Sequence, residues 1–198
     1  AENDFYLVTG TGFATHDFNW IRRNTPSGLD VTLSDITESR SVLTLMGPNS
    51  RAILQAATGD DHSNNAFPFA TMQNLTIADC SVRALRITYM GELGWELHVP
   101  VEHAATVYDS LMEIGRTHGL INAGYRSIES CRLEKGYRAW GSDIGPDHTP
   151  LEAGLGWAVK LKAGIAFKGR DAIEAQRATG VKKMLAGFAV SPARVLLG

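Results

Sequence analysis

Residues 89–100 read YMGELGWELHVP, and this stretch predicts a tight turn followed by a short strand. Gly91 and Gly94 allow backbone angles that other residues resist, so the turn falls in the first half. The second half alternates as a strand does, with three apolar side chains on one face and two polar ones on the other: Trp95, Leu97 and Val99 against Glu96 and His98. Glu96 therefore lies just after a turn, on the face opposite the predicted core.

A carboxylate at the position of Glu96 can accept two parallel N–H hydrogen bonds from a flat heterocycle. The amino-pyrimidinone edge of a pterin offers such a pair of donors, and paired, charge-assisted bonds are strong and orienting. The alternative interpretation is that Glu96 simply lies on the solvated side of an amphipathic strand. The pattern alone favours this alternative, because exposed glutamate is common.

The motif Y-x-G-E-x-G-x-E, which runs from Tyr89 to Glu96, resembles the signature of the glycine cleavage T-protein family, the tetrahydrofolate-dependent aminomethyltransferases. Residues 121–162, INAGYRSIESCRLEKGYRAWGSDIGPDHTPLEAGLGWAVKLK, resemble the C-terminal half of dimethylglycine and sarcosine dehydrogenases and oxidases. In those enzymes a flavin domain oxidises an N-methyl group and a T-protein-like domain captures the one-carbon unit on folate. The resemblance covers nearly the whole chain. It implies tetrahydrofolate as the bound cofactor, with FAD expected only in a separate N-terminal flavin domain.

The resemblance assigns folate-binding roles to five residues. Glu96 matches the carboxylate that holds the pterin edge, and Tyr89 matches an aromatic residue that contacts the folate. Tyr6 matches an aromatic residue lining the pterin pocket, and Val8 a residue that contacts the pterin through its backbone. Tyr137 lies where some members place another aromatic near the folate. Each tyrosine could instead be a packing ring with its hydroxyl bonded locally. Packing is the preferred interpretation for Tyr137, and binding for Tyr6 and Glu96.

Two positions depart from the family's pattern. T-proteins place an arginine early in the helix before R-L-E, where it can pair with the folate tail, whereas this chain has Ile128. Arg126 is near in sequence, but it points roughly 200° around a helix from that position. The family's catalytic aspartate is expected upstream of Ala1, and Asp4 is too close to the first strand to replace it. The resemblance therefore implies no catalytic residue within this chain and an inactive fragment when it is isolated.

The composition is typical of a globular protein, with 198 residues of which 44% are apolar and 20% charged. The net charge of −2 offers no basic field for nucleic acid or anionic lipid, and no apolar run reaches membrane-spanning length. Six histidines without ligand spacing predict no metal site. Cys80 and Cys131 give no disulfide framework and predict buried thiols in a reducing compartment. The family's compartments are the mitochondrial matrix in animals and the cytoplasm in bacteria.

The order of elements predicts an α+β fold with mainly antiparallel sheets covered by helices. The predicted strands are residues 4–9, 29–36, 41–46, 74–78, 81–89, 95–99, 155–161 and 183–190, with a hairpin turn at Asp79-Cys80. The predicted helices are residues 16–23, 48–57, 102–117, 124–136 and 169–179, with Asn122 capping the fourth. Residues 1–160 are expected to form the folate-binding region, as two interleaved α+β subdomains. Residues 161–198 are expected to begin a C-terminal barrel domain, and both ends of the chain look cut.

Other charged groups have structural interpretations. The loop at residues 59–65, GDDHSNN, predicts a solvated surface that includes His62. Arg132 and its neighbours on the helix predict surface charge pairs. Asp143, Asp147 and His148 surround a Gly-Pro turn and are predicted to form that turn rather than to catalyse.

Three functions fit these features. The first is the folate-binding, one-carbon-transfer region of a dimethylglycine or sarcosine dehydrogenase-like flavoprotein, whose partners are a small folate and the flavin domain of the same polypeptide. The second is a non-catalytic structural or regulatory module of related architecture, as in the regulatory subunit of pyruvate dehydrogenase phosphatase. The third is a free-standing glycine cleavage aminomethyltransferase. Residues 134–143, EKGYRAWGSD, favour the dehydrogenase branch over the third.

Overall fold

This computed structural model describes residues 3–189, which contain four strands and five α-helices. The strands are β1 (Arg40–Met46), β2 (Met72–Ile77), β3 (Cys80–Leu85) and β4 (Gly94–Pro100). The helices are α1 (Ala14–Asn24), α2 (Ser50–Thr58), α3 (Ala104–Gly115), α4 (Tyr125–Lys135) and α5 (Arg170–Thr179). Short 3₁₀ helices occur at Thr11–Phe13, Thr37–Ser39, Val101–His103, Arg116–His118, Gly156–Ala158 and Leu161–Ala163.

The four strands form one sheet in the order β1-β4-β3-β2, and each neighbouring pair is antiparallel. β4 lies inside the sheet, because Glu96 is opposite Thr44 on β1 and Leu85 on β3. The predicted α+β class with an antiparallel sheet is therefore confirmed, and the stretch that opened the sequence argument provides a central strand.

One face of this sheet is buried beneath α2 and α3. β4 contributes three side chains with no exposed surface, and the two helices contribute four more buried ones: Trp95, Leu97 and Val99, with Ile53, Leu54, Val107 and Leu111. Each such burial stabilises the fold by about 1.5–3 kcal/mol. The alternation predicted for β4 is correct, and it leaves Glu96 and His98 on the opposite face.

The turn that leads into β4 depends on glycine. Gly91 has a positive φ of 78°, a conformation that other residues rarely adopt. A Cβ atom on Gly94 would collide with the carbonyl oxygen of Leu45 on β1. The β2–β3 hairpin turns instead on Ala78 and Asp79, with φ of 48° and 60°, so the predicted Asp79-Cys80 turn was one residue too late.

Four predicted strands are wrong. Residues 4–9, 29–36 and 183–189 form no strand, residues 156–158 form a 3₁₀ helix, and Val190 lies outside the described residues. Leu7 and Val31, which supplied apolar positions in two of these segments, are exposed. Alternation makes a strand only where a sheet edge offers hydrogen bonds, and no strand within residues 3–189 pairs with these segments.

The predicted helices are present with small shifts in their bounds, but the predicted cap of α4 is wrong. Gly124 is the N-cap, in an extended conformation and without a side-chain bond. Asn122 instead donates its Nδ2–H to the Tyr108 hydroxyl at 2.7 Å, so its side chain connects the segment before α4 to α3. Cys80 is buried as predicted, whereas Cys131 is only partly buried.

His62 is the clearest departure from the predicted solvated loop. Its side chain is 1% exposed, although the neighbouring Asp60 and Asp61 are exposed. The His62 Nε2 atom lies 2.8 Å from Thr58 Oγ1, and its ring centroid lies 6.2 Å from that of Trp95. Burial lowers the pKa of His62. His62 therefore anchors the loop to the core, which the polar composition of the loop does not predict.

Candidate functional site

Four side chains meet on the sheet face opposite the core and form what we call the outer-face cluster: Tyr6, Arg83, Glu96 and His98. The Tyr6 hydroxyl lies 2.9 Å from His98 Nδ1, and His98 Nε2 lies 3.5 Å from Glu96 Oε2. Glu96 and His98 share this face because they are two residues apart on β4. The cluster therefore joins the N-terminal segment to the carboxylate predicted to hold a ligand.

Arg83 holds Tyr6 over the sheet. The β3–β4 register places Arg83 opposite His98, and the guanidinium carbon lies 4.2 Å from the centroid of the Tyr6 ring. A cation–π contact of this kind contributes roughly 0.5–2 kcal/mol. This contact and the hydroxyl bond to His98 position Tyr6, although residues 4–10 form no strand.

Two buried nitrogen atoms in the outer-face cluster, His98 Nε2 and Arg83 Nε, have no hydrogen-bond partner among residues 3–189. His98 has 3% of its side chain exposed and Glu96 has 20%. Because buried polar atoms are normally hydrogen-bonded, these two atoms indicate a site in which not every donor has its acceptor. The sequence alone predicts for His98 only a polar position opposite the core. Its spacing of two residues from Glu96 is the signal that identifies it.

An open cleft of about 960 Å³ lies beside the cluster, and Glu96 belongs to both. Aromatic side chains form much of its wall: Phe13, Tyr89, Tyr125 and Trp140. The volume is within the range of about 300–1,000 Å³ common for small-molecule sites. A carboxylate next to several aromatic rings can bind a flat, N–H-bearing heterocycle by hydrogen bonding at its edge and stacking on its faces.

The structure distributes the other predicted site residues unequally around this cleft. Tyr89 lines it, and the Tyr89 hydroxyl donates to the Arg138 carbonyl at 2.8 Å. Burial raises the pKa of Tyr89, so this group stays a neutral donor. Tyr137 does not line the cleft but stacks on Tyr89, with centroids 6.1 Å apart and planes 25° apart. Val8 is half exposed and does not line the cleft either.

Ile128, which stands where the resemblance predicts an arginine, does not line the cleft. It borders a separate pocket of about 320 Å³ between β1, α3 and α4. That pocket is lined mainly by apolar side chains, including Leu111 and Met112. Arg138 is the arginine on the cleft wall, and its Nε–H donates to the Ala153 carbonyl at 2.9 Å. The position of Ile128 therefore supplies no cation to the cleft.

Arg132 organises the loop that carries part of the cleft wall, and the predicted surface role for it is wrong. Its side chain is 3% exposed and forms ion pairs with Glu129 and Asp143. Hydrogen bonds to Glu129 and to Asp143, together with their negative charges, raise the pKa of Arg132. Asp143 also accepts a bond from the Ala139 N–H at 2.9 Å. Because Trp140 follows Ala139, the ion pair fixes the backbone next to a wall residue.

His148 and Asp147 agree better with the predicted turn. His148 Nδ1 accepts a bond from the Gly145 N–H at 3.1 Å, and Asp147 is exposed. Within residues 3–189 there is no group of three or more His, Cys, Asp or Glu side chains placed to hold a metal ion. The helices of the same residues include none that is long and apolar enough to cross a membrane.

Comparison with known proteins adds independent information. The family model described as the GCVT N-terminal domain matches residues 1–163. A mitochondrial sarcosine dehydrogenase from Mus musculus is 47% identical over 184 residues, which are 91% of this chain and 20% of that protein. A mitochondrial dimethylglycine dehydrogenase from Rattus norvegicus is 40% identical over 183 residues, which are 92% of this chain and 21% of that protein.

The fold is also similar to the crystal structure of the glycine cleavage system aminomethyltransferase T from Bartonella henselae. The TM-score is 0.66 at 28% sequence identity, and the match covers 85% of this chain and 44% of that one. The chain thus spans about a fifth of the length of the two dehydrogenases and less than half of the aminomethyltransferase.

Proposed function

Because the chain belongs to the GCVT N-terminal domain family, we propose that it binds tetrahydrofolate as the one-carbon-transfer region of a larger dehydrogenase-type flavoprotein. It is an aminomethyltransferase-like domain related to sarcosine and dimethylglycine dehydrogenases. Those relatives are much longer, with the match covering 20% and 21% of their length. Oxidation of an N-methylated amine would therefore belong to a different domain of the same polypeptide.

The observation that carries this proposal is the position of Glu96. Its carboxylate lies at the junction of the aromatic cleft and the outer-face cluster and keeps 20% of its side chain exposed. It forms no ordinary hydrogen bond with residues 3–189, and its Oε2 atom lies 3.5 Å from His98 Nε2. An ionised carboxylate in this state can accept both N–H groups of an amino-pyrimidinone edge.

The aromatic wall fits the rest of a pterin. Tyr89 and Trp140 line the cleft with Glu96, and Tyr137 stacks on Tyr89. Tetrahydrofolate would supply the nitrogen nucleophile that takes up the one-carbon unit. The chain's own residues would bind its edge through Glu96, orient its ring, and exclude water from the apolar wall.

The described residues do not form the glycine fingerprint of a dinucleotide-binding fold. Gly10 and Gly12 are the two glycines of a partial nucleotide fingerprint, but Thr11–Phe13 forms a 3₁₀ turn and residues 3–10 contain no strand before it. A dinucleotide-binding fingerprint needs a strand, a glycine turn and a helix in that order. Binding of FAD is accordingly assigned to the separate flavin domain that the dehydrogenase relatives suggest.

Calorimetric titration with folinic acid tests the proposal. The parent chain should bind saturably, and Glu96→Ala should weaken binding at least tenfold, which corresponds to about 1.4 kcal/mol. Glu113→Ala provides a matched control, because Glu113 is an exposed glutamate on α3. It should bind as the parent does. Circular dichroism of every variant separates lost binding from lost folding.

Absence of binding by a well-folded parent, both as this chain and within the full-length polypeptide, would refute the proposal and favour a non-catalytic module. Equal binding by the parent and Glu96→Ala would place the folate elsewhere. We propose the mitochondrial matrix as the location if the source is eukaryotic, which the mitochondrial relatives support, and the cytoplasm if the source is bacterial. Fractionation of source cells checks this location.

A further inference from the structure

We propose that His98 is a positioning residue that orients the Glu96 carboxylate toward its ligand, with Tyr6 fixing the proton on the required nitrogen of His98. This inference deepens the proposed function and rests on it for the identity of the ligand. Its structural basis is the series of contacts from the Tyr6 hydroxyl to His98 Nδ1 and from His98 Nε2 to Glu96 Oε2.

The burial of His98 restricts what its ring can do. With 3% of the side chain exposed, Nε2 has no water-accessible alternative, and within residues 3–189 it has no other hydrogen-bond partner. Glu96 Oε2 is the acceptor it faces, at 3.5 Å. A rotation of the carboxylate that moves Oε2 by a few tenths of an ångström would bring Oε2 and Nε2 to normal hydrogen-bonding distance.

The contacts also select a tautomer. If Nδ1 carried the ring proton, the lone pair of the buried Nε2 would face the negatively charged Glu96, which is unfavourable. If Nε2 carries the proton, it points at Glu96, and Nδ1 accepts the Tyr6 hydroxyl hydrogen across 2.9 Å. The second arrangement gives Nδ1 a hydrogen bond and points the Nε2 proton at a carboxylate oxygen that a small movement brings within bonding distance. The Arg83 guanidinium lies over the Tyr6 ring and so helps to keep the Tyr6 hydroxyl next to His98 Nδ1.

This arrangement has a specific consequence for Glu96. A donor fixed at Oε2 restrains the rotation of the carboxylate. The ligand can then bind to Oε1 and to the outward-facing lone pairs of Oε2. A carboxylate oriented before binding loses less conformational entropy when a pair of N–H groups docks on it. His98 therefore acts through Glu96 and does not itself contact the ligand.

Nitrogen NMR tests the tautomer without any folate. In ¹⁵N-histidine-labelled protein, His98 should show a protonated Nε2 and an unprotonated Nδ1 that accepts a hydrogen bond. Tyr6→Phe should shift the Nδ1 resonance of His98 and leave that of the exposed His103 unchanged. A parent His98 with its neutral-state proton on Nδ1 would overturn the proposal, even if folinic acid binds as expected.

Two substitutions then test the positioning role in folinic acid titrations. The Gln side chain can place its amide nitrogen near the Nε2 position, whereas that of Asn reaches only to the Nδ1 position. We expect His98→Asn to weaken binding about tenfold, and His98→Gln to restore it to within about threefold of the parent. His103→Asn is the matched control and should have no effect.

The outcomes separate this inference from the proposed function. Equal losses in folded His98→Gln and His98→Asn would overturn the donor role, as would unchanged binding in both. If the parent binds no folinic acid, the proposed function fails, and the NMR measurement alone still decides whether His98 donates toward Glu96. If His98→Asn does not fold, two comparisons with the parent test the donor role instead. They are the Nδ1 resonance of His98 in Tyr6→Phe and the folinic acid affinity of His98→Gln.

Discussion

Removal of the Asp143 carboxylate should loosen the loop that carries Trp140 into the cleft. Asp143 pairs with the buried guanidinium of Arg132 and accepts the Ala139 N–H at 2.9 Å. In Asp143→Ala, Arg132 keeps Glu129 as its carboxylate partner, but the backbone at residue 139 loses its acceptor. The substitution therefore tests whether one ion pair connects α4 to the cleft wall.

The magnitude follows from the burial of the partners. Breaking a fully buried ion pair costs about 3–5 kcal/mol, because the remaining charge is left uncompensated. Asp143 is 27% exposed and Arg132 retains a second partner, so the lower part of that range applies. The lost bond to the Ala139 N–H contributes about 1 kcal/mol of that cost. We expect Asp143→Ala to lower the free energy of unfolding by about 3 kcal/mol.

Urea denaturation followed by far-ultraviolet circular dichroism measures this change. Glu129→Ala should cost less than about 1 kcal/mol, because the Glu129 side chain is 43% exposed. Asp147→Ala should leave stability unchanged, since Asp147 is exposed and lies in the same loop. The reasoning fails if Asp143→Ala is as stable as Asp147→Ala, or if Glu129→Ala costs as much as Asp143→Ala.

Three further substitutions test other parts of the structure. Gly94→Ala should destabilise the protein by about 2 kcal/mol or more in urea denaturation, because its Cβ would collide with the Leu45 carbonyl oxygen; parent-like stability would show that β1 can move away. His62 has a lowered folded pKa, so the unfolded chain takes up its proton first as pH falls below the usual value of 6.5. Stability should therefore decline from pH 7 to pH 5, and His62→Gln should reduce this decline while His103→Gln should not. Trp140→Phe should remove much of any fluorescence quenching by folinic acid, and undiminished quenching would place the ligand away from this wall.

The sequence predicts the central part of the fold well because its patterns coincide with burial. The alternation of Trp95, Leu97 and Val99 continues as a buried strand face, and the helical spacing of residues 104–114 matches α3. In both elements, the spacing of apolar residues within the segment identifies the side chains that become buried. The position of Glu96 opposite the core follows from the same alternation.

Properties set by distant partners were not predictable in this way. Residues 29–36 alternate as a strand would, but a strand needs a neighbouring edge, which periodicity does not reveal. Polar sequence neighbours predict surface positions for Arg132 and His62. In the fold both are buried, and their contacts with Asp143 and Trp95 come from other elements. Tertiary pairing, rather than local composition, decides these positions.

The candidate site divides along the same line. Glu96 and Tyr89 come from one motif, and both line the cleft. Tyr6 and His98 are 92 residues apart, and only the folded chain shows that they are hydrogen-bonded. The roles of Val8 and Tyr137 in folate binding stay predictions, and neither residue lines the cleft.

The central claim is that Glu96 binds the N–H pair of a pterin edge, and a thermodynamic cycle tests it most directly. Calorimetry would compare folinic acid with an analogue whose 2-amino group is replaced by methyl, on both the parent chain and Glu96→Ala. The account predicts that the analogue binds the parent at least tenfold more weakly, about 1.4 kcal/mol, and that this difference disappears in Glu96→Ala. An equal loss of affinity in both proteins would contradict it, because the amino group would then be recognised by something other than Glu96.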